Sequence, residues 1–81
     1  MIAKIVKVTK KKSQYGGSFY YVNFRDLQNR TYCSYIYERM RNFDRWKKIL
    51  DVGITLSGLK TVKGRGKIID ADSKFQIVEE K

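Results

Sequence analysis

The sequence of 81 residues contains no histidine, no proline and a single cysteine, Cys33. One cysteine excludes an intramolecular disulfide, and without histidine the usual ligand set for zinc is missing. The same absences remove the commonest general base and any cysteine–histidine nucleophile. There is no Gly-x-x-x-x-Gly-Lys-Ser/Thr run and no dinucleotide-binding glycine fingerprint, because Gly64-x-Gly66 stands alone. Neither catalysis nor a cofactor or metal is expected. The lack of proline leaves every backbone amide from residue 2 onward able to join a strand ladder. Long apolar runs are missing as well. Ile2 to Val8 is broken by Lys4 and Lys7, too short and too charged for a signal peptide, and nothing approaches the ~20 apolar residues that span a bilayer. A soluble, cytoplasmic chain with no membrane partner is expected.

Acidic residues are the remaining shortage: 18 lysines and arginines face 8 aspartates and glutamates, for a net charge of +10. The imbalance is local, with 16 basic and 4 acidic side chains in residues 1–67 and 2 and 4 in residues 68–81. A chain of this length makes one domain, residues 1–81, with a small core, so the fold must be regular to survive without staples. A field of one sign draws a polyanion and releases counterions from a phosphate backbone. Solubility alone is the plainer reading of such charge. The distribution favours nucleic acid, because two basic glycine-bearing segments, Lys10 to Gly17 and Lys60 to Lys67, flank a stretch crowded with tyrosines. Cations on loops hold a phosphate backbone without reading sequence, and exposed rings stack on any base.

Along the chain, Ile2, Val6 and Val8 alternate with Lys7 and Thr9 as in a half-buried strand, and Lys10 to Gly17 reads as the turn after it. Phe19 to Phe24 alternates again and ends at the turn-like Asp26-Leu27-Gln28-Asn29-Arg30, and Thr31 to Tyr37 has the composition of a third strand. The period then changes. Met40, Phe43, Trp46, Ile49 and Leu50 recur at helical spacing, with Asn42 as N-cap, Asp44 in the first turn, Lys47 and Lys48 near the last, and Gly53 past the end. Ile54, Leu56 and Leu59 form a fourth strand. Ile68-Ile69 and Phe75 to Val78 form a fifth, bent at Asp70 to Ser73. The order strand, strand, strand, helix, strand, strand resembles the oligonucleotide/oligosaccharide-binding (OB) fold, an all-β, five-stranded Greek-key barrel with one helix between its third and fourth strands. Size and the segment Lys67-Ile68-Ile69-Asp70-Ala71-Asp72-Ser73 are similar to the small single-stranded-DNA-binding proteins of phages and mobile elements. That resemblance implies a ligand lying across strands two and three, clamped by the loops joining strands one and two and strands four and five.

On this reading Tyr20, Val22 and Phe24 face the core, and Phe19, Tyr21, Asn23 and Arg25 face the ligand. In strand three either Tyr32, Ser34 and Ile36 or Thr31, Cys33, Tyr35 and Tyr37 faces out, and a slip of one residue swaps the sets. Cysteine is usually buried, which favours Tyr32 and Ser34 outside and leaves Tyr35 and Tyr37 as further candidates. Lys10, Lys11, Lys12 and Tyr15 belong to one clamp and Lys63, Arg65 and Lys67 to the other. Trp46 is expected to plug the barrel and Asp70 and Asp72 to bond their own backbone, while Arg39, Arg41 and Arg45 either extend a phosphate track or, as is usual near a short helix, form its solvated side. The expected function is sequence-tolerant binding of single-stranded DNA in replication or recombination. Single-stranded RNA on the same platform and a protein-docking role within a replication complex are the alternatives. A free edge strand would also let two copies pair, and Glu79-Glu80-Lys81 is too short to recruit a partner.

Overall fold

In the computed structural model, which describes residues 1–78, the chain begins as a three-stranded antiparallel meander of β1 (Ala3–Lys12), β2 (Ser18–Asp26) and β3 (Thr31–Tyr37). Alternation along β2 decides which way it faces: Val22 and Phe24 are completely buried, and Tyr20 packs against the same core. β1 carries an irregularity in its register between Ile5 and Lys7, which leaves Val6 as an extra residue. A bulge of this kind inverts the alternation. It lets Ala3 and Ile5 point inward ahead of it and Val8 after it, while Lys7 turns out to solvent. Ile2, expected inside, is 40% exposed and precedes the strand.

The helix α1 spans only Phe43–Lys47, shorter than the helical spacing implies. A five-residue helix has no stability of its own. Side chains from the helix and from its cap hold it in place. Trp46 is fully buried, its indole Nε1 donates to the Ala71 carbonyl at 2.8 Å, and its ring meets Phe75 at 4.4 Å and the edge of Phe24 at 6.4 Å. Asn42 occupies the N-cap position but makes no side-chain cap; its Nδ2 donates instead to the same Ala71 carbonyl at 2.6 Å. Arg45 reaches the Phe75 carbonyl at 3.2 Å and lies over the Phe75 ring, so it clamps the helix to the chain's last segment.

Among the described residues seven strands, not five, make up the sheet, because the expected loop Lys60–Lys67 itself forms strand and the fifth expected strand is broken. The fourth is only β4 (Thr55–Ser57), ending at Gly58, where φ is +80° and a Cβ would sit 2.6 Å from the Lys74 carbonyl oxygen; β5 (Thr61–Val62) forms inside the expected loop Lys60–Lys67. The fifth becomes β6 (Arg65–Ile69) and β7 (Gln76–Val78). Between them the Asp72 amide donates to Asp70 Oδ1 at 2.9 Å, and the Ser73 hydroxyl donates to the Asp70 carbonyl at 2.7 Å. These bonds turn the backbone out of the ladder.

The strand order is β5-β6-β3-β2-β1-β4-β7, with β3 and β6 parallel and every other pair antiparallel. β4 and β5 lie far apart in that order yet are joined by residues 58–60 alone, so the sheet curls into a half-barrel. Inside the curl sit Ile5, Val22, Phe24, Ile36, Trp46, Leu56, Leu59 and Ile69. Each is worth ~1.5 to 3 kcal/mol of apolar burial. No helix among the described residues is long and apolar enough to cross a membrane. The acidic end, Glu79-Glu80-Lys81, lies outside the described residues.

Candidate nucleic-acid interface

Since the inner face of the meander forms the core, its outer face collects every other residue of three strands. β2 supplies Phe19, Tyr21, Asn23 and Arg25, paired across to Tyr37, Tyr35, Cys33 and Thr31 of β3 and, for the first three, to Lys11, Thr9 and Lys7 of β1. The four rings form a ladder. Tyr21 and Tyr35 have centroids 5.2 Å apart, Phe19 and Tyr37 5.3 Å, and Phe19 and Tyr35 6.3 Å, all tilted. Tyr35 and Tyr37 remain 42% and 39% exposed, which is enough ring surface to stack on a planar ligand. Lys11 Nζ stands 5.4 Å from the Tyr21 centroid, a cation–π contact that holds the charge beside the ring.

This register reverses the arrangement expected for β3. Ser34, expected outside, is fully buried, and its hydroxyl donates to the Ile69 carbonyl of β6 at 3.0 Å. Tyr32 is half-buried against the core, and its hydroxyl donates to Asp26 Oδ2 at 3.3 Å. Cys33 is only half-buried and belongs to the outer set. Tyr35 and Tyr37 take the places expected for Tyr32 and Ser34, because Ser34 finds a backbone acceptor inside and a cysteine tolerates either side.

At one end of the ladder a cavity of about 830 Å³ is lined by Lys12, Tyr15, Phe19, Tyr37 and Arg39. Tyr15 is 85% exposed in a turn whose Gly16 and Gly17 both have positive φ. At the other end, Lys7, Tyr21, Asn23, Arg25, Cys33 and Lys67 line a groove of about 460 Å³. The structure thus brings Lys11, Lys12, Tyr15, Phe19, Tyr21, Asn23, Arg25, Tyr35, Tyr37 and Lys67 onto one surface. Besides Tyr32, which packs against the core, three candidates lie apart from it. Lys10 shares its side of the strand with Tyr20, 5.8 Å from that ring, and approaches Glu38 at 3.9 Å. Lys63 and Arg65 stand exposed at the β5–β6 hairpin. Lys10 to Lys12 are also strand rather than mobile loop, paired with Tyr20, Phe19 and Ser18.

Lys7, which is not among the expected contacts, and Arg39, weighed only as an extension of a phosphate track, join the surface. The alternation of Lys7 with Val8 carried a signal, but the bulge that frees it did not show in the pattern. Arg39 follows Tyr37 by two residues and lies with it at the end of the ladder rather than on the helix's solvated side. Comparison with known proteins finds no matching family model, no matching curated protein and no matching solved structure.

Two groups in or beside this surface have shifted acidity. A hydrogen bond to Cys33, the charge that thiol would carry when ionised, desolvation and the neighbouring Tyr35 push the Tyr21 phenol above its usual value, so it stays neutral at physiological pH. Desolvation pushes the Asp26 carboxyl up, but the amides of Arg30 and Gln28 and the Arg30 guanidinium outweigh it and leave the group below the usual carboxylate range. Asp26 Oδ1 accepts from those amides at 2.8 and 2.9 Å, and Oδ2 accepts from Arg30 Nε at 3.1 Å, so the β2–β3 turn is tied to one carboxylate. Among the described residues no cluster of carboxylates and thiol has the makings of a metal site.

Proposed function

We propose that the protein binds single-stranded DNA with little sequence preference across the outer face of β1, β2 and β3, in support of replication or recombination in the cytoplasm. The observation that carries this reading is the ladder of Phe19, Tyr21, Tyr35 and Tyr37, half-open to solvent and bordered by Lys7, Lys11, Arg25 and Lys67. Rings offer every base a stacking partner, and the flanking cations follow the backbone. A duplex buries the base faces that such rings need. An OB-type barrel is the finer reading of the half-barrel. Its support is a first strand shared between β2 and β4, a parallel pairing of β3 with β6, and a helix between β3 and β4.

A competition titration of labelled oligo-dT against single-stranded RNA and duplex DNA, at several salt concentrations, tests it. Affinity for oligo-dT should fall with salt at a log–log slope near −0.7 per phosphate neutralised, so ~4 contacts give about −3. Lys11→Ala and Lys67→Ala should each lower the slope by about 0.7, and Lys10→Ala should leave it in place. A flat salt response, or duplex held as tightly as single strands, defeats the proposal; RNA held more tightly than DNA reassigns the polymer.

A further inference from the structure

Strand β7 ends the sheet order, and among the described residues no strand lies on its far side. Its three residues carry no charge. Backbone alternation shows which groups face that open side. The Ile5 amide donates to the Ile54 carbonyl at 2.8 Å, so Ile54 turns towards β1, and Leu56, two residues on and paired with Ala3, turns the same way. Thr55 and Ser57 therefore turn towards β7, where they pair with Val78 and Gln76. That leaves Ile77, between those two, with its N–H and C=O directed out of the sheet, whereas the Phe75 carbonyl two residues earlier is already taken by Arg45 at 3.2 Å. The Ile77 side chain lies opposite the fully buried Leu56, on the core side, yet it is 53% exposed because no strand follows β7. On the other face Val78, Ile2 and Leu27 line a cavity of about 600 Å³, so apolar surface stands open on both sides of this edge.

We propose that β7 is the pairing edge for a second copy of this chain, with the two β7 strands antiparallel about a two-fold axis at Ile77. In that arrangement Ile77 meets Ile77 of the partner copy, each N–H donates to the other's C=O, and the two side chains cover one another at the open end of the core. Charge selects both the occupant and its direction. Lys74 and Arg45 stand at the start of β7, and the sequence continues past Val78 into Glu79 and Glu80. Antiparallel pairing about Ile77 sets positions 74 and 80 in register, basic against acidic at both ends, and parallel pairing would set like against like. Elsewhere a second copy is repelled. Beyond its contact with β4, β1 carries Lys7, Lys10, Lys11 and Lys12, and β5 lies between Lys60 and Lys63. Such lysines commonly guard native edges, and β7 carries none. Residues 68–81 are also where the positive excess ends, with 2 basic and 4 acidic side chains, so two molecules of net charge +10 meet there at least electrostatic cost.

Sedimentation equilibrium of the wild-type chain from about 10 μM to about 1 mM, the range of a small transient interface, tests the pairing at an ionic strength that screens charges beyond about 8 Å. The average mass should rise from that of one chain towards that of two and stop there, because a two-fold pairing uses up the edge. Ile77→Lys sets two cations opposite one another across the axis. Its dissociation constant should be at least about tenfold higher, and the dilute variant should melt close to wild type, since the side chain it replaces is exposed. A second measurement needs no variant: in wild type, exchange of the Ile77 amide should slow as concentration rises, while the amides of Gln76 and Val78, which already face β4, change far less. A mass that climbs past two chains, a dimer that survives Ile77→Lys, or an Ile77 amide indifferent to concentration overturns the proposal. So does a wild-type chain that stays monomeric throughout, which would leave the edge to a strand of some other protein. The single-strand reading stands or falls separately, because its face is built from β1, β2 and β3.

Discussion

Tyr21 and Phe24 are separated by Val22 and Asn23 on one strand, and they divide binding from stability. Tyr21 is half-exposed beside Tyr35 with Lys11 over its ring, and Phe24 is completely buried against Trp46. Tyr21→Ala should therefore cost ~1 to 3 kcal/mol of oligo-dT binding, the worth of one base–aromatic stack, with a small change in melting temperature. Phe24→Ala should open a cavity and cost ~3 to 5 kcal/mol of stability, enough to unfold most of so small a domain. Oligo-dT titrations and thermal melts of both variants check this; the reverse pattern would mean that β2 presents its other face. For β2 the split was legible in sequence, because Val22 and Phe24 are apolar where Asn23 and Arg25 are polar. For β3 it was not: tyrosines stand at 32, 35 and 37, so the pattern fits either register. The deciding residue is Ser34, whose burial depends on the Ile69 carbonyl, a partner brought in from 35 residues away.

At the scale of elements, sequence foretold the strand–strand–strand–helix order. It missed where strands break. β4 ends at Gly58, whose positive φ and lack of room for a Cβ beside the Lys74 carbonyl are set by a segment further along the chain, and such approaches leave no trace in periodicity. Lys10 to Lys12 extend β1 because hydrogen bonds to β2 continue past the last core residue, where both faces meet water and no alternation is required. The β2–β3 turn was legible as a turn, and its chemistry gives it a pH dependence. The folded-state acidity of Asp26 is stronger than its unfolded value of 3.8. Its contribution is accordingly present above that value and disappears as pH falls through the lower folded one. Asp26→Asn keeps an acceptor for the turn amides but loses the charge, so it should melt below wild type at pH 7 and match it near pH 2. Melts across that range measure the convergence, and a gap that persists in acid would assign the turn's stability to something other than ionised Asp26.

For the molecule as a whole, charge and curvature act together. The +10 charge surrounds the molecule with a field of one sign, and the half-barrel exposes a face with rings within it. The curl depends on joining distant parts of the chain: β4 meets β1 at Ala3 and Leu56, while the meander is built from neighbours in sequence. Pairings that close long loops form late and open early, so the seam and the platform should behave as separate cooperative units in hydrogen exchange. Gly58→Ala, which forces a side chain toward Lys74, should speed exchange of the β4 and β7 amides well before those of β2 and β3. Equal acceleration throughout would mean a single unit. With two units, transient breathing at the seam should leave the ringed face assembled, and an oligonucleotide held on that face should slow exchange in the hairpins while the seam goes on opening at its own rate.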